Sequence, residues 1–314
     1  MVSSELAAAY AACEQLARSH YENFPVASRL LPAWMRPHVA AIYAFARIAD
    51  DMADEGTRPS AERLKDLDAW GRRLDLALCG SIEADEPHRY VFVALRHSIE
   101  VCRLPPLLFH DLLSAFRQDV TVTRYATWED LLDYCRRSAN PVGRLVLRVA
   151  GPDGWASPSG LTAAADAASD AVCTALQLTN FWQDLEIDWK KGRLYVPESI
   201  WKPRGAREPD LAMRRMTPEW RATLGDVARR TRALFEDGRG VCDAVKGRLR
   251  FELRATWLGG TRILDKLESA DFDVFARRPT VTKADVPSLL LRSLLWSRTS
   301  AANAGESEGR SPIG

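Results

Sequence analysis

Two stretches of the chain place carboxylates where a helix would carry them inward. In Val39-Ala-Ala-Ile-Tyr43-Ala-Phe-Ala46-Arg47-Ile-Ala-Asp50-Asp51-Met-Ala-Asp54-Glu55, steps of three and four put Val39, Tyr43, Ala46, Asp50 and Asp54 on one face. The acids thus continue a stripe that begins as the buried side of the helix. Acids four apart lie about 5–6 Å from each other at Cβ and repel by roughly 0.2–0.5 kcal/mol. Burial raises that penalty unless a cation sits between them. A hard divalent ion such as Mg²⁺, which takes oxygen ligands, would remove it. Taken alone, the cluster is more simply an acidic helix end facing water, with Asp54-Glu55-Gly56 as its exit.

The second stretch, Cys173 to Trp189, changes that balance. One face reads Gln177, Asn180, Asp184 and Asp188, while Leu176, Leu178, Phe181, Trp182, Leu185, Ile187 and Trp189 cover most of the rest. A helix apolar around most of its circumference is normally buried, so its single oxygen-rich stripe should line an interior cavity. Lys190-Lys191-Gly192-Arg193-Leu194-Tyr195-Val196-Pro197 follows directly and sets cations and a phenol beside the acids. Carboxylates alone would repel a diphosphate. Carboxylates holding Mg²⁺, with Lys and Arg at the rim, would bind it and stabilise it as a leaving group. Its departure from carbon leaves a carbocation, which aromatic faces stabilise in a dry cavity. Tyr43, Phe45, Tyr134, Phe181 and Trp182 are candidates, each equally at home in core packing.

The elements that must position these groups are helical. Apolar periodicity predicts helices over roughly 4–19, 37–55, 60–79, 86–101, 106–120, 127–150 with a break, 159–189, 217–244, 248–270 and 284–298, and no alternating strand runs. The break falls at Pro141, which removes a backbone donor and clashes with the preceding turn. No long flexible linker divides the blocks, so one all-α domain is expected over 1–299, with the small polar stretch 300–314 as a disordered tail. The 314 residues are 46% hydrophobic and 27% charged, which excludes collagen-like and disordered chains. With 43 basic against 42 acidic residues there is no global field to gather nucleic acid, and none is expected as a partner. The six cysteines are dispersed, with neither a C-x-x-C pair nor zinc spacing, which suits a reducing compartment. No segment reaches the roughly 18 apolar residues of a membrane span. The cytoplasm is therefore expected, with peripheral contact at the inner face of a membrane left open. The apolar stretch Val286 to Trp296 is expected to pack into the core.

Asp50-Asp51-Met-Ala-Asp54-Glu55 after Tyr43-Ala-Phe-Ala-Arg47, and Gln177-Leu-Thr-Asn180 followed by Asp184, Asp188, Gly192-Arg193, Tyr195 and Pro197, resemble the two aspartate-rich motifs of the squalene/phytoene synthase family. Between them, Arg124-Tyr125, Asp130-Leu131, Tyr134-Cys135 and Val142-Gly143 are similar to that family's central signature. The likeness runs over roughly residues 15 to 295 with the motifs in order. It implies an isoprenoid-synthase helical bundle around a central cavity and chemistry on prenyl diphosphates. It also implies roles: Asp50, Asp54, Asp184 and Asp188 as Mg²⁺ ligands (Mn²⁺ the alternative), supported by Asp51 and Asn180. Arg47, Lys191, Arg193 and Tyr195 would contact diphosphate, Tyr43 and Gln177 would line the substrate, and Tyr134 would act near the reacting centre.

Gln183, Ile187 and Ser138-Ala-Asn140-Pro141 depart from the common family pattern. Together with His20 to Ser28, they are similar to the branch that makes hydroxysqualene in bacterial hopanoid pathways. That likeness implies a carbon-oxygen lyase. It would ionise presqualene diphosphate and let water capture the rearranged cation, with no nicotinamide cofactor, between an upstream synthase and a downstream flavin-dependent reductase. Asn140 and Gln183 are neutral amides placed where they could hold the water. The alternatives are a prenyl transferase making squalene, dehydrosqualene, phytoene or presqualene diphosphate, or a helical lipid-binding or scaffold protein without the chemistry.

Overall fold

Helix propensity and punctuation set most of the element boundaries. The computed structural model describes residues 4–20, 31–54, 58–151, 154–155 and 160–297. The helices are α1 (Ser4–His20), α2 (Arg36–Asp54), α3 (Ser60–Leu78), α4 (Arg89–Cys102), α5 (Pro106–Thr121), α6 (Trp128–Ser138), α7 (Asn140–Val149), α8 (Ala163–Gln183), α9 (Leu185–Lys190), α10 (Glu198–Trp201), α11 (Glu208–Ala212), α12 (Pro218–Gly238), α13 (Val241–Ala244), α14 (Gly247–Ser269) and α15 (Val286–Leu294). Among the described residues there is no β-strand, only isolated bridges pairing Arg124 with Leu194 and Trp155 with Val245. The His20 to Ser28 segment lies outside the described residues except for the end of α1, as do Glu55 and the 300–314 tail.

Local chemistry explains the starts and stops. Thr127 and Asp130 form a reciprocal cap at the start of α6, the Thr127 hydroxyl accepting from the Asp130 amide at 3.1 Å and the Asp130 carboxylate accepting from the Thr127 amide at 3.0 Å. The chain breaks at Ala139, and Pro141 sits in the first turn of α7, where its missing donor is not needed. Two expected helices are divided: 217–244 into α12 and α13, and 159–189 into α8 and α9. Asp184 leaves helical geometry (φ −100°, ψ 12°) and separates α8 from α9. The acidic stripe survives because the Asp188 amide still donates to the Asp184 carbonyl at 2.9 Å.

Helices α8, α12 and α14 pack together, and α2 packs against α1, α4 and α5. Alanines at 40, 41, 44, 49 and 53 let the neighbours of α2 come close, with Phe45 seated against Trp70 and Phe109. The α8–α12 crossing is tighter still. A methyl on Gly238 would lie 2.6 Å from the Ala168 carbonyl oxygen and 2.8 Å from the Val172 amide, backbone atoms with no rotamer to move away. The other end of the chain departs from expectation. Only Leu289 and Ser293 of α15 are buried, in a narrow seam on α14, so Leu290, Leu291, Leu294 and Leu295 face outward rather than into the core. No helix among the described residues is long and apolar enough to cross a membrane. All six cysteines are free thiols.

Candidate active site

The buried side of α2 is made by Ala40, Ala41, Ala44, Phe45, Ile48, Ala49 and Ala53. The predicted stripe of Val39, Tyr43, Ala46, Asp50 and Asp54 therefore runs beside the core and is half-buried, where carboxylates border the apolar interior and keep an opening. Arg47 pairs with Asp51 at 2.5 Å and with Asp50 at 3.6 Å. Burial first, then the neighbouring Asp54, pushes the Asp50 carboxyl up to about 6. Burial also acts on Asp54, but hydrogen bonds and charge from Arg193 and Lys191 outweigh it and hold that carboxyl below its ordinary range.

Those cations reach α2 because the chain reverses after α9. Gly192 takes φ +80°, a left-handed turn that a side chain would strain, and the Arg193 amide bonds back to the Asp188 carbonyl at 2.8 Å. The next amide, Leu194, donates to the Thr123 carbonyl at 3.0 Å and anchors the strap against the end of α5. Arg193 then donates to Asp54 Oδ1 at 2.5 Å and to the Asp119 carbonyl at 3.1 Å, while Lys191 reaches Asp54 Oδ2 at 3.3 Å. The two aspartate-rich stretches, 139 residues apart at this contact, are thus joined across one site.

On the facing side, Arg278 grips both oxygens of Asp184, with Nη2 at 3.1 Å from Oδ2 and Nε on Oδ1. The neighbouring Gln183 amide donates to the Pro279 carbonyl at 2.5 Å, so the segment after α14 is clipped onto the end of α8. Burial, followed by the charge of Asp184, pushes Asp188 up to about 7, with Arg193 and Lys191 opposing and Asp54 adding to the rise. Asp54 and Asp188 therefore share one electrostatic field.

Deeper in, Tyr134 donates its hydroxyl to Asp119 Oδ2 at 2.8 Å. Both groups are buried, and burial lifts the Tyr134 phenol well above its usual value, so Tyr134 stays protonated as a donor. Asp119 is pushed up to about 7, mainly by burial, and its Oδ1 has no hydrogen-bond partner. Tyr195 lies flat on Phe181 with ring centroids 3.7 Å apart, and Tyr125 and Tyr134 close the aromatic cluster. Tyr195 is thus a buried wall of the site.

Among the described residues, no three acidic, histidine or cysteine side chains form a ready-made metal cluster. The donor set nonetheless fits hard divalent cations. Asp50 and Asp188 are carboxyls raised first by burial and then by a neighbouring carboxylate, a cost that a bound cation would relieve, and Asp54 and Asp184 are paired with Arg and Lys side chains that a diphosphate would attract.

Along α8, ending one residue before Asp184, opens a cleft of about 360 Å³ between the α6–α7 junction, α8 and α14, lined by Val142, Leu176, Gln177, Asn180, Gln183, Ile263 and Glu252 among others but by none of the four motif aspartates. Gln177 and Asn180 thus border it as expected, and Asn180 is exposed at its edge. Asn140 is turned elsewhere: its Oδ1 accepts from the buried Thr174 hydroxyl at 2.9 Å. A wider surface hollow around Arg207, Asp210 and Arg215 contains no residue of either acidic face.

Sequence reasoning missed Asp119, Arg278 and Glu252. A signal existed for Glu252, which occupies the inward stripe Leu249, Glu252, Thr256, Gly260, Ile263 just as Asp50 occupies its own. Arg278 lies outside any periodic segment.

The model of the family described as squalene/phytoene synthase matches residues 17–285. The hydroxysqualene synthase of Rhodopseudomonas palustris is 35% identical over 254 residues, 80% of each chain. A crystal structure of squalene synthase HpnC from Alicyclobacillus acidocaldarius superposes with a TM-score of 0.77 at 39% identity, covering 86% of this chain and 97% of that one. A dehydrosqualene synthase solved with a ligand shares the fold at a TM-score of 0.80 and 22% identity, over 93% of this chain and 97% of that one. The motifs, the helical architecture and these likenesses agree, and the chain belongs to the squalene/phytoene synthase family.

Proposed function

We propose that this chain is a hydroxysqualene synthase, a carbon-oxygen lyase that ionises presqualene diphosphate and lets water capture the rearranged cation, giving hydroxysqualene and diphosphate. The observation that carries the reading is the juxtaposition of Asp54, Asp188, Lys191 and Arg193, with a largely apolar cleft running along α8 up to Gln183, next to Asp184. The relatives named hydroxysqualene synthase favour this reaction among those the fold supports. Asp50 and Asp54, assisted by Asp51, would hold divalent metal on one face, and Asp184 and Asp188, assisted by Asn180, on the other. Bound Mg²⁺ supplies the positive charge that makes diphosphate a leaving group.

The remaining work falls to the protein. Arg47, Lys191 and Arg193 bind the diphosphate oxygens, drawn from their resting carboxylate partners. Arg278 does the same opposite Asp184. Tyr43 and Gln177 orient the prenyl chain, and the buried faces of Phe181, Tyr195 and Tyr134 offer quadrupoles to positive carbon. Tyr134, held by Asp119, fixes that aromatic wall. The apolar cleft limits the water that could quench the cation early.

Purified protein given presqualene diphosphate, with Mg²⁺ and no nicotinamide, should release diphosphate and hydroxysqualene. Farnesyl diphosphate given separately should yield neither. Phytoene, dehydrosqualene or presqualene diphosphate from a prenyl diphosphate would reassign the chain to a prenyl transferase, and no diphosphate release from any prenyl substrate would revive the non-enzymatic reading.

A further inference from the structure

The cleft beside Asn180 is apolar along Ala139, Val142, Leu176 and Ile263, yet a carboxylic acid is built into its wall. Glu252 is only 7% exposed, and its Oε2 has no hydrogen-bond partner. Burial alone pushes its carboxyl up to about 9, so the group is a neutral acid at neutral pH. An unpartnered buried acid destabilises a fold. The stripe it shares with Leu249, Gly260 and Ile263 would be filled as well by leucine. Buried polar groups in native proteins find a protein partner or an ordered water. In front of Glu252 the available space is the cleft itself.

We propose that Glu252 holds the water that captures the substrate cation and thereby makes the product an alcohol rather than a hydrocarbon, an inference that rests on the hydroxysqualene reading above. Of the two amides expected to do this, Asn140 is not in the cleft wall and accepts from Thr174, while Gln183 lines the cleft with its Nε2 donated to the Pro279 carbonyl. Glu252 acts through the water and is a positioning residue. Its carbonyl oxygen accepts a hydrogen bond from the water, whose lone pair is left to the cationic carbon. Ionisation breaks the carbon–oxygen bond to diphosphate, which leaves with the bonding pair. The water oxygen then forms the new carbon–oxygen bond, and the resulting oxonium gives its proton to the departed diphosphate. Neutrality of the acid matters, because a carboxylate at this place would itself bond to the cation or remove a proton from it.

The full-length protein is incubated with presqualene diphosphate and Mg²⁺ in ¹⁸O-water, and diphosphate and organic products are quantified together. Wild type should give ¹⁸O-labelled alcohol. Glu252→Gln keeps a neutral carbonyl acceptor and should hold the alcohol fraction within about twofold. Glu252→Leu keeps the volume without the acceptor. It should continue to release diphosphate while the alcohol fraction falls by about tenfold, the size of one lost hydrogen bond in a dry site, and elimination hydrocarbons take its place. Glu252→Met, whose flexible chain fills the same space, should repeat that shift and stands in if the leucine variant does not fold. An unchanged alcohol fraction in both apolar variants overturns the role of Glu252 and leaves the functional reading intact. Equal loss of diphosphate release in the Gln and apolar variants also overturns it, since that marks a structural role. A wild type that yields no alcohol from this substrate overturns the functional reading and the proposal with it.

Discussion

Replacing Glu252 by glutamine should stabilise the protein by an amount that grows with pH. In the folded chain burial moves this carboxyl from an ordinary 4.5 up to about 9. Between those values the folded state keeps a proton that the unfolded state has released, so the unfolded state binds fewer protons and stability falls as pH rises. Each pH unit inside that window contributes about 1.4 kcal/mol. Across three units, such as pH 5 to pH 8, wild type should therefore lose about 4 kcal/mol through this one group. Glutamine has the same shape and does not titrate. The gap between variant and wild type should widen by that amount across the interval and stop widening once the native carboxyl ionises above about 9. Urea unfolding followed by circular dichroism at several pH values measures it, and every other titrating group cancels in the difference. Wild-type and glutamine stabilities that run parallel from pH 5 to pH 8 would refute the assignment of Glu252 as a buried neutral acid.

Asp50→Asn should cut turnover by orders of magnitude while leaving the unfolding midpoint at or above wild type, because burial and Asp54 already disfavour the charge there; near-normal turnover in the folded variant would sink the metal assignment. Tyr134→Phe strips Asp119 of its described hydroxyl donor and should destabilise the chain by about 1–3 kcal/mol in denaturant titration. Gly238→Ala forces a methyl against the Ala168 carbonyl and Val172 amide and should lower stability by about 1–3 kcal/mol, read as a fall in the urea midpoint with little change in slope.

Helices with a clear apolar period were legible to within a few residues. The spacing predicts 60–79 and 106–120, and the structure has Ser60–Leu78 and Pro106–Thr121. What periodicity cannot carry is tertiary. The split at Asp184 coincides with a carboxylate gripped by Arg278, 94 residues on, and nothing local announces it. The short helices Glu198–Trp201 and Glu208–Ala212 escaped because a few residues between prolines and glycines show no repeat. Within the candidate site, the spacing of Asp50, Asp54, Asp184 and Asp188 is legible because like charges recur at helical spacing beside apolar faces. Whether such a face is core or cleft wall depends on what packs opposite: the α2 stripe, expected to point inward, is half-buried beside the core. Asp119 was hidden for the same reason: its distinguishing contact is a phenol from another helix.

The ion pairs that close the site also order its making in time. Asp54 meets Arg193 only after 139 further residues have been joined, and Asp184 meets Arg278 only 94 residues after its own addition. At translation rates of about 5–20 residues per second, Asp54 and Asp184 each wait roughly 5–30 seconds on the ribosome for their arginine partner. The site is thus completed late, with only the segment that carries Asp285 and α15 still to be added. A nascent chain that already has α2, α8 and their core contacts still lacks the clip that sets Asp184, so a half-made protein is not a half-active one.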